Sequence, residues 1–300
     1  MLGWNRRDDT VACLDSLAAQ TAPGVTLRLT LVDNGSTDGT VEAVERALPA
    51  VGIVPLQRNL GFAGAANIGI GRALDTGADW TWLVNNDTLA MTGLLRELLA
   101  GAVREDVGLV TPTIRVLDRP ELVWPSAGWR RRLTLAAFDT TASPPSPAPY
   151  DVDWATGCCL LVRAATWRRI GLLDDRYAFY FEDHDLCLRA RAAGWRIVHV
   201  PRATVLHRVA GSTGAGSPRQ MYLLARASVP FYWRHTRGLH RWFIVAYRLG
   251  SFMCTLARCL KAGRPAAAAA YARGLADGVT DLARAGGPPP DWDRYRVART

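Results

Sequence analysis

Glu182-Asp183-His184-Asp185 sets three carboxylates and an imidazole in four consecutive residues, directly after Phe179-Tyr180-Phe181. A carboxylate within hydrogen-bond reach of a hydroxyl can act as a general base. Acids in a first helical turn also suit the helix macrodipole, so residue types alone leave both roles open. Three other stretches carry comparable chemistry. Asp33-Asn34-Gly35-Ser36-Thr37-Asp38-Gly39-Thr40 has turn residues throughout, and Asp33 there can simply close an Asx turn. Arg58-Asn59 leads into Gly61-Phe62-Ala63-Gly64-Ala65-Ala66-Asn67, whose glycines allow close backbone approach and whose helix start favours an anion. Asn85-Asn86-Asp87 offers hard oxygen ligands of the kind a divalent cation takes.

The elements that must position these residues are legible from periodicity. Asp8 to Gln20 reads as an amphipathic helix, Leu27 to Val32 as a buried strand, and Val41 to Leu48 as a helix. Gly52–Leu56 and Trp80–Val84 read as strands around a helix from Gly61 to Thr76. Leu94 to Val103 is helical and Val107 to Thr111 a strand. Strand and helix alternate, with polar residues gathered where strands end. That is the pattern of an open, mostly parallel α/β sheet binding ligands at the carboxyl ends of its strands.

Asp118–Trp129 and Thr140–Pro149 are rich in Pro, Ser and Thr, and the second reads as a mobile loop or extended linker. Val152 to Val162 is strand-like but broken at Gly157, and a short helix spans Ala164–Ile170. Asp183 to Ala193 is a helix ended by Gly194, with Arg189 spaced to pair with Asp185. Arg196–Val200 and Ala203–Leu206 lead as strands to His207. A flexible loop at 211–217 marks a boundary between a catalytic domain, 1–215, and a basic, aromatic-rich helical extension, 216–300.

The charge is distributed unevenly. Fifteen Arg and Lys and not one acid lie between Leu186 and Ala276, whereas residues 1–185 carry 17 basic and 23 acidic side chains. An anionic partner for the basic part follows, with a simply solvated basic face as the alternative. Trp242 to Leu260 is nearly long enough to span a bilayer, but Arg248 and Arg258 lie within it. A helix lying in the membrane interface with its arginines towards headgroups fits that composition better, and an ordinary packed helix is the alternative. The six cysteines show no framework spacing and no secretory signal is visible, so they read as reduced residues of a cytosolic protein.

The succession of Trp4-Asn5-Arg6, Asp33 to Thr40, Arg58 to Asn67, Asn85-Asn86-Asp87, Glu182 to Asp185 and His207 resembles the family 2 inverting glycosyltransferases of the GT-A fold. Within these it is most similar to the bacterial rhamnosyltransferase-type branch that builds cell-wall and surface polysaccharides. The resemblance covers about residues 1–215 and implies a role for each motif. Asp33, Asn34, Arg58, Asn59, Gly61, Asn67 and Asn86 would hold a dTDP- or UDP-sugar donor. Asp87 and His207 would ligate a divalent metal, Mg²⁺ or Mn²⁺, that neutralises the leaving diphosphate. Asn85 departs from the family's Asp-x-Asp pattern and leaves Asp87 as the acid there. Asp183 would be the general base of a single displacement with inversion. Glu182 and Asp185 would orient acceptor hydroxyls or hold the helix, Asp185 through Arg189.

The family also begins with a strand of about six apolar residues, where this chain has Met1-Leu2-Gly3. That strand is expected centrally in the sheet, and a late start or a stub is the reading. The resulting expectation is a hexosyltransferase peripheral on the cytoplasmic face of an anionic membrane. It would move a sugar, rhamnose among the candidates, to a saccharide or lipid-linked acceptor. Left open are a soluble transferase acting on a metabolite or protein with the tail as a homodimer surface, and a degenerate nucleotide-sugar-binding protein. Nucleic-acid binding is disfavoured, because strand-end carboxylates repel phosphates.

Overall fold

A computed structural model describes residues 1–177, 179–208 and 216–284. The first part alternates as the periodicity requires: β1 (Leu2–Gly3), α1 (Arg7–Ala18), β2 (Thr30–Asp33), α2 (Thr40–Ala47), β3 (Gly52–Pro55), α3 (Gly61–Asp75) and β4 (Trp80–Val84). β5 (Thr88–Ala90), α4 (Leu94–Ala100) and β6 (Val107–Val116) follow. β1, β2 and β3 pair in parallel, with Leu2 opposite Val32 and Thr30 opposite Gly52. Leu2 also bridges Asn85, so the two-residue β1 lies centrally, between β2 and β4. Residues 27–29 were expected in the strand. They stay outside it because the β1 register reaches back only to Leu2–Val32, leaving them no neighbour on that side. A cavity of about 1690 Å³, lined in part by Met1, Leu29, Thr30 and Trp82, and by Phe62 and Ala66 of α3, opens there.

The middle of the chain holds more strand than its Pro- and Ser-rich composition suggested. β7 (Arg119–Trp124) pairs with β6; β8 (Ala127–Arg130) pairs with β9 (Ala137–Asp139) and, further along the chain, with β11 (Trp154–Ala155). Residues 140–149 carry no regular structure. The run from Val152 divides into β10 (Tyr150–Val152), β11 and β12 (Cys159–Arg163), interrupted as expected around Gly157. Then come α5 (Ala164–Ile170), α6 (Glu182–Ala192) and β13 (Arg196–His207), which absorbs both strands expected there. The order β10-β13-β6-β12-β4 is mixed: β13 runs parallel to β6, while β12 is antiparallel to both β6 and β4.

Alternation on the central strands divides the core. Leu160 and Val162 face α3, α5 and α6, where Ile70, Trp167 and Leu186 pack on them. Cys159 and Leu161 face the other way, towards Cys13 and Leu17 of α1 and Leu94 and Leu98 of α4. A sheet covered on both sides needs the near-continuous apolar runs these strands show. Each fully buried aliphatic side chain contributes about 1.5–3 kcal/mol relative to exposure.

Three helices follow the boundary expected at 211–217, most of which lies outside the described residues: α7 (Pro218–Arg234), α8 (Gly238–Lys261) and α9 (Pro265–Arg284). α7 and α9 lie together through Tyr222–Asp277 (2.8 Å) and Arg226–Asp281 (2.6 Å). α7 docks on the first part through Phe231 and Ala227, which share a cluster with Leu135 and Tyr177. α8 is mostly exposed: Leu239, Trp242, Leu249 and Met253 face outward, and Ile244 is buried. By length and composition alone it is apolar enough to cross a membrane. Its Arg248, expected towards headgroups, turns inward instead. The guanidinium lies 4.7 Å from the Tyr232 ring and donates to Ser228 Oγ at 3.3 Å, because one stripe of the helix must pack on α7 and α9. Four cysteines are buried as free thiols, whereas Cys254 is exposed.

Candidate active site

The strand-end motifs meet at one edge because β1, β2 and β4 are adjacent and end at the same level. Asn5 and Arg6, both left-handed (φ 55° and 63°), turn the chain from β1 into α1. Asn5 ties the edge together. Its N–H donates to Ser36 Oγ (2.7 Å), its Oδ1 accepts from Thr37 N (2.9 Å), and its carbonyl accepts from Asn86 Nδ2 (3.0 Å). Asn86 also donates to Thr10 Oγ1, so its amide braces the turn as built.

Asp33, at the end of β2, is buried with both oxygens engaged by Ser36: the backbone N–H at 2.9 Å and the hydroxyl at 2.5 Å. It closes the Asx turn that was one of its two sequence readings. Asn34 zips β2 to the next strand end, donating to Asn59 Oδ1 and Gly61 O and accepting from Leu60 N at 2.8 Å. Gly35 (φ 78°) stands between them, where an added Cβ would lie 2.9 Å from the Arg58 carbonyl carbon. A side chain is excluded there by both backbone and contact. The Arg58 side chain itself is exposed. Asn67 is not brought to this edge: it is fully buried, donating to Leu173 O (2.8 Å) and accepting from Leu173 N (3.0 Å), and clamps α3 to the loop before α6.

Asp87 and His207 face each other, with Nε2 3.2 Å from Oδ1. β13 supplies the histidine opposite Thr88 of β5. Asp87 Oδ2 accepts from Arg6 Nη1 at 3.1 Å, and the same guanidinium pairs with Asp9. His207 Nδ1 is buried with no partner among the described residues. One carboxylate and one imidazole suit a divalent ion that completes its shell with substrate phosphates and water. Among the described residues no three His, Cys, Asp or Glu side chains converge, so the protein by itself offers an incomplete set.

Asp183 reaches the edge by another route. β12 is antiparallel to β4, so the segment before it, with Cys158 accepting from Asn85 N (2.9 Å), lies beside the end of β4. Gly157 in that segment donates to Asp183 Oδ2 at 3.2 Å, and His184 N donates to Oδ1 at 2.7 Å. Phe62, from the start of α3, lies on the same Gly157. Asp183 is half-buried. Glu182 is buried, with Oε2 unpartnered. Burial first, and then the adjacent Asp183 charge, push its carboxyl well above the ordinary range. Two left-handed residues, Tyr180 and Phe181 (φ 70° each), set up the start of α6.

Asp185 points away from this edge into a charged cluster with Arg189 Nε (2.7 Å), His235 Nε2 (2.8 Å) and Arg234 Nε (3.4 Å). Periodicity identified the Arg189 contact. The partners from α7 and its C-terminal end were out of reach of sequence reasoning, as were Arg6 on Asp87, Gly157 on Asp183 and Arg130. Burial lowers the pKa of Arg130 and that of His184, the latter to about 4. The imidazole is therefore neutral, and its Nδ1 accepts from Arg130 Nη2 at 2.6 Å. These contacts leave no local sequence signal, apart from Arg6 belonging to a motif already singled out.

The edge therefore gathers a polar rim, a facing Asp–His pair and a half-buried carboxylate. The chain is 37% identical over 210 residues to the N-acetylglucosaminyl-diphospho-decaprenol L-rhamnosyltransferase of Mycobacterium tuberculosis, covering 61% of this chain and 67% of that one. It is also 37% identical over 178 residues to galactofuranosyltransferase GlfT1 of the same organism, covering 57% and 56%. Among solved structures, the mannosyltransferase PcManGT from Pyrobaculum calidifontis, in complex with GDP-Man and Mn²⁺, superposes with a TM-score of 0.57 over 94% of this chain and 77% of that one. At 18% identity that likeness speaks to the fold, which is GT-A-like. A model of the glycosyltransferase like family 2 matches residues 3–223, and with the site at its strand ends the chain belongs to that glycosyltransferase family.

Proposed function

We propose that this chain transfers a sugar, rhamnose or galactofuranose in class, from a dTDP- or UDP-activated donor to a saccharide carried on a lipid diphosphate. The observation that carries this reading is the convergence of Asp33–Asn34, Asn86–Asp87 and Asp183 on one sheet edge. The names of the rhamnosyl- and galactofuranosyltransferase relatives supply the sugar and acceptor classes.

The donor's base and ribose lie against the Asp33–Asn34 and Arg58–Gly61 loops, whose internal hydrogen bonds hold them ready. Asp87, with His207, would hold a divalent ion, which when bound neutralises charge on the diphosphate. Arg6 already offers a second positive charge to the same carboxylate. Asp183 takes the proton from the acceptor hydroxyl as that oxygen bonds to the anomeric carbon. The bond from that carbon to the diphosphate breaks on the opposite face, and the nucleoside diphosphate leaves with the electron pair. One displacement inverts the centre, so a nucleotide–β-L-rhamnose gives an α-rhamnoside.

A thermal-shift panel of UDP-, dTDP- and GDP-sugars with and without Mn²⁺ tests the donor site, since a ligand binding only the native state raises Tm by mass action. A metal-dependent shift with a UDP- or dTDP-sugar is expected, and it should vanish in Asp87→Ala. Shifts that ignore both metal and Asp87 would remove that residue from the site.

The outward face of α8, with exposed Leu239, Trp242, Leu249 and Met253 beside exposed Arg237, Arg258 and Lys261, supports seating on an anionic bilayer. The chain should float with phosphatidylglycerol vesicles at low salt and less at high salt. A Trp242→Glu/Leu249→Glu variant should stay at the bottom of the gradient. Flotation unchanged in that variant would take α8 out of the interface.

A further inference from the structure

The β8–β9 hairpin carries Arg130-Arg131-Arg132 at its turn, and it touches both the candidate base helix and the exposed helix α8. Its first arginine is spent on structure. Arg130 Nη1 donates to Leu135 O at 2.6 Å and Nη2 donates to His184 Nδ1, next to Asp183, also at 2.6 Å. Its guanidinium lies 5.6 Å from the centre of the Phe231 ring. The turn closes through Arg131 N to Ala136 O and Leu135 N to Arg131 O, both at 2.8 Å. Leu135 is left-handed (φ 56°) and buried against Tyr177 and Phe231, so the turn is held from beneath. On its other flank the hairpin meets α8, where His240 Nε2 lies 2.7 Å from the Leu133 carbonyl.

Arg131 and Arg132 are exposed, and neither forms an ion pair with any described residue. Arg131 lies over the exposed Phe138 ring at 4.7 Å, an arrangement that holds the guanidinium while leaving its edge free. Each of these two adjacent guanidiniums, carried on a fastened turn, offers the paired N–H donors that suit bidentate phosphate recognition.

We infer that Arg131 and Arg132 bind the diphosphate of the lipid-carried acceptor, an inference that rests on the acceptor class proposed above. Such an acceptor has three parts in fixed order: saccharide, diphosphate, apolar chain. The saccharide hydroxyl must meet Asp183 and the chain must meet an apolar surface, which the outward face of α8 provides. The hairpin contacts both, Arg130 through His184 and Leu133 through His240, so a diphosphate running from Asp183 to α8 would pass its turn, which carries Arg131 and Arg132. The same pair would add specificity: a saccharide without the diphosphate would forgo this contact and bind more weakly.

The test uses the full chain and farnesyl diphosphate below its micelle concentration, titrated calorimetrically without any membrane. Wild type should bind it, and bind farnesol at least tenfold more weakly. Arg131→Ala/Arg132→Ala should lose at least tenfold in affinity for farnesyl diphosphate, while UDP raises its Tm as in wild type, showing an intact fold. A wild type that does not bind, or a double variant that binds equally well, overturns the inference. Loss of vesicle flotation with unchanged farnesyl diphosphate affinity overturns it too, and assigns the arginines to bulk lipid headgroups. Failure of the wild type to glycosylate any lipid-diphosphate saccharide while the arginine-dependent binding persists counts against the proposed function and leaves the phosphate site standing.

Discussion

Asp183→Asn is expected to lower the transfer rate by about 10²–10⁴-fold, the usual worth of a positioned general base, with little change in Tm or in donor binding. The side chain accepts two backbone hydrogen bonds, from Gly157 N and His184 N, so both oxygens are aimed by the fold. An amide of the same shape keeps one of those bonds and fills the same volume, but it cannot take a proton. Glu182 does not replace it. Burial and the adjacent Asp183 charge push the Glu182 carboxyl well above the ordinary range, and its Oε2 is buried with no partner among the described residues, whereas Asp183 is the half-buried one. Single-turnover transfer at saturating donor, read beside a melting curve, separates chemistry from folding. A variant within a few-fold of wild type would remove Asp183 from the chemistry.

Asp185→Ala is expected to produce the largest loss of stability. The carboxylate is fully buried and paired with Arg189, Arg234 and His235, so its removal leaves the half-buried Arg189 and His235 without their acceptor. Breaking such a cluster from one side costs about 3–5 kcal/mol. At roughly 2–4 °C per kcal/mol for a chain of this class, Tm should fall by on the order of 10 °C. The lower end of that range is favoured because Arg189 keeps the carbonyls of Ile170, Gly171 and Leu172, while Arg234 is exposed to solvent and keeps Asp174. Burial alone would raise the Asp185 pKa. The hydrogen bond from His235 and the charges of Arg189 and Arg234 outweigh burial and leave it lowered. A carboxylate with a depressed folded pKa stabilises fully above its unfolded pKa and loses that contribution as pH falls through the folded value. The wild type should therefore lose stability in acid more steeply than Asp185→Ala, and parallel Tm–pH curves would show that the cluster carries no such linkage. Asp185 is two residues from Asp183 and on the same helix, yet its effect should fall on Tm rather than on the chemistry.

How much of this was legible in the chain depends on the range of the interaction. The α/β alternation, the sheet edge where the polar motifs gather and the Asp185–Arg189 pair follow from period, turn chemistry and helical spacing. These are local, and the chain states them residue by residue. The Asx turn at Asp33 was legible as one of two options for the same reason. What the tertiary structure decided is which options close and what each charged group meets. Asn67 looked like part of the donor loop, but a helix presents successive side chains to different sides, and this one faces Leu173 in the core. Arg248 looked headgroup-bound, but the packed stripe of α8 claims it. The Arg6–Asp87 pair spans 81 residues, Arg130–His184 spans 54 and His235–Asp185 spans 50. No spacing rule reaches across such distances, because those neighbours are set by strand order and helix docking. The sequence alone thus determined the family-type fold and the stretches that carry chemistry. Only the folded chain divided the Glu182–Asp185 cluster into a buried acid, a carboxylate held at the sheet edge and a buried carboxylate paired with Arg189, Arg234 and His235.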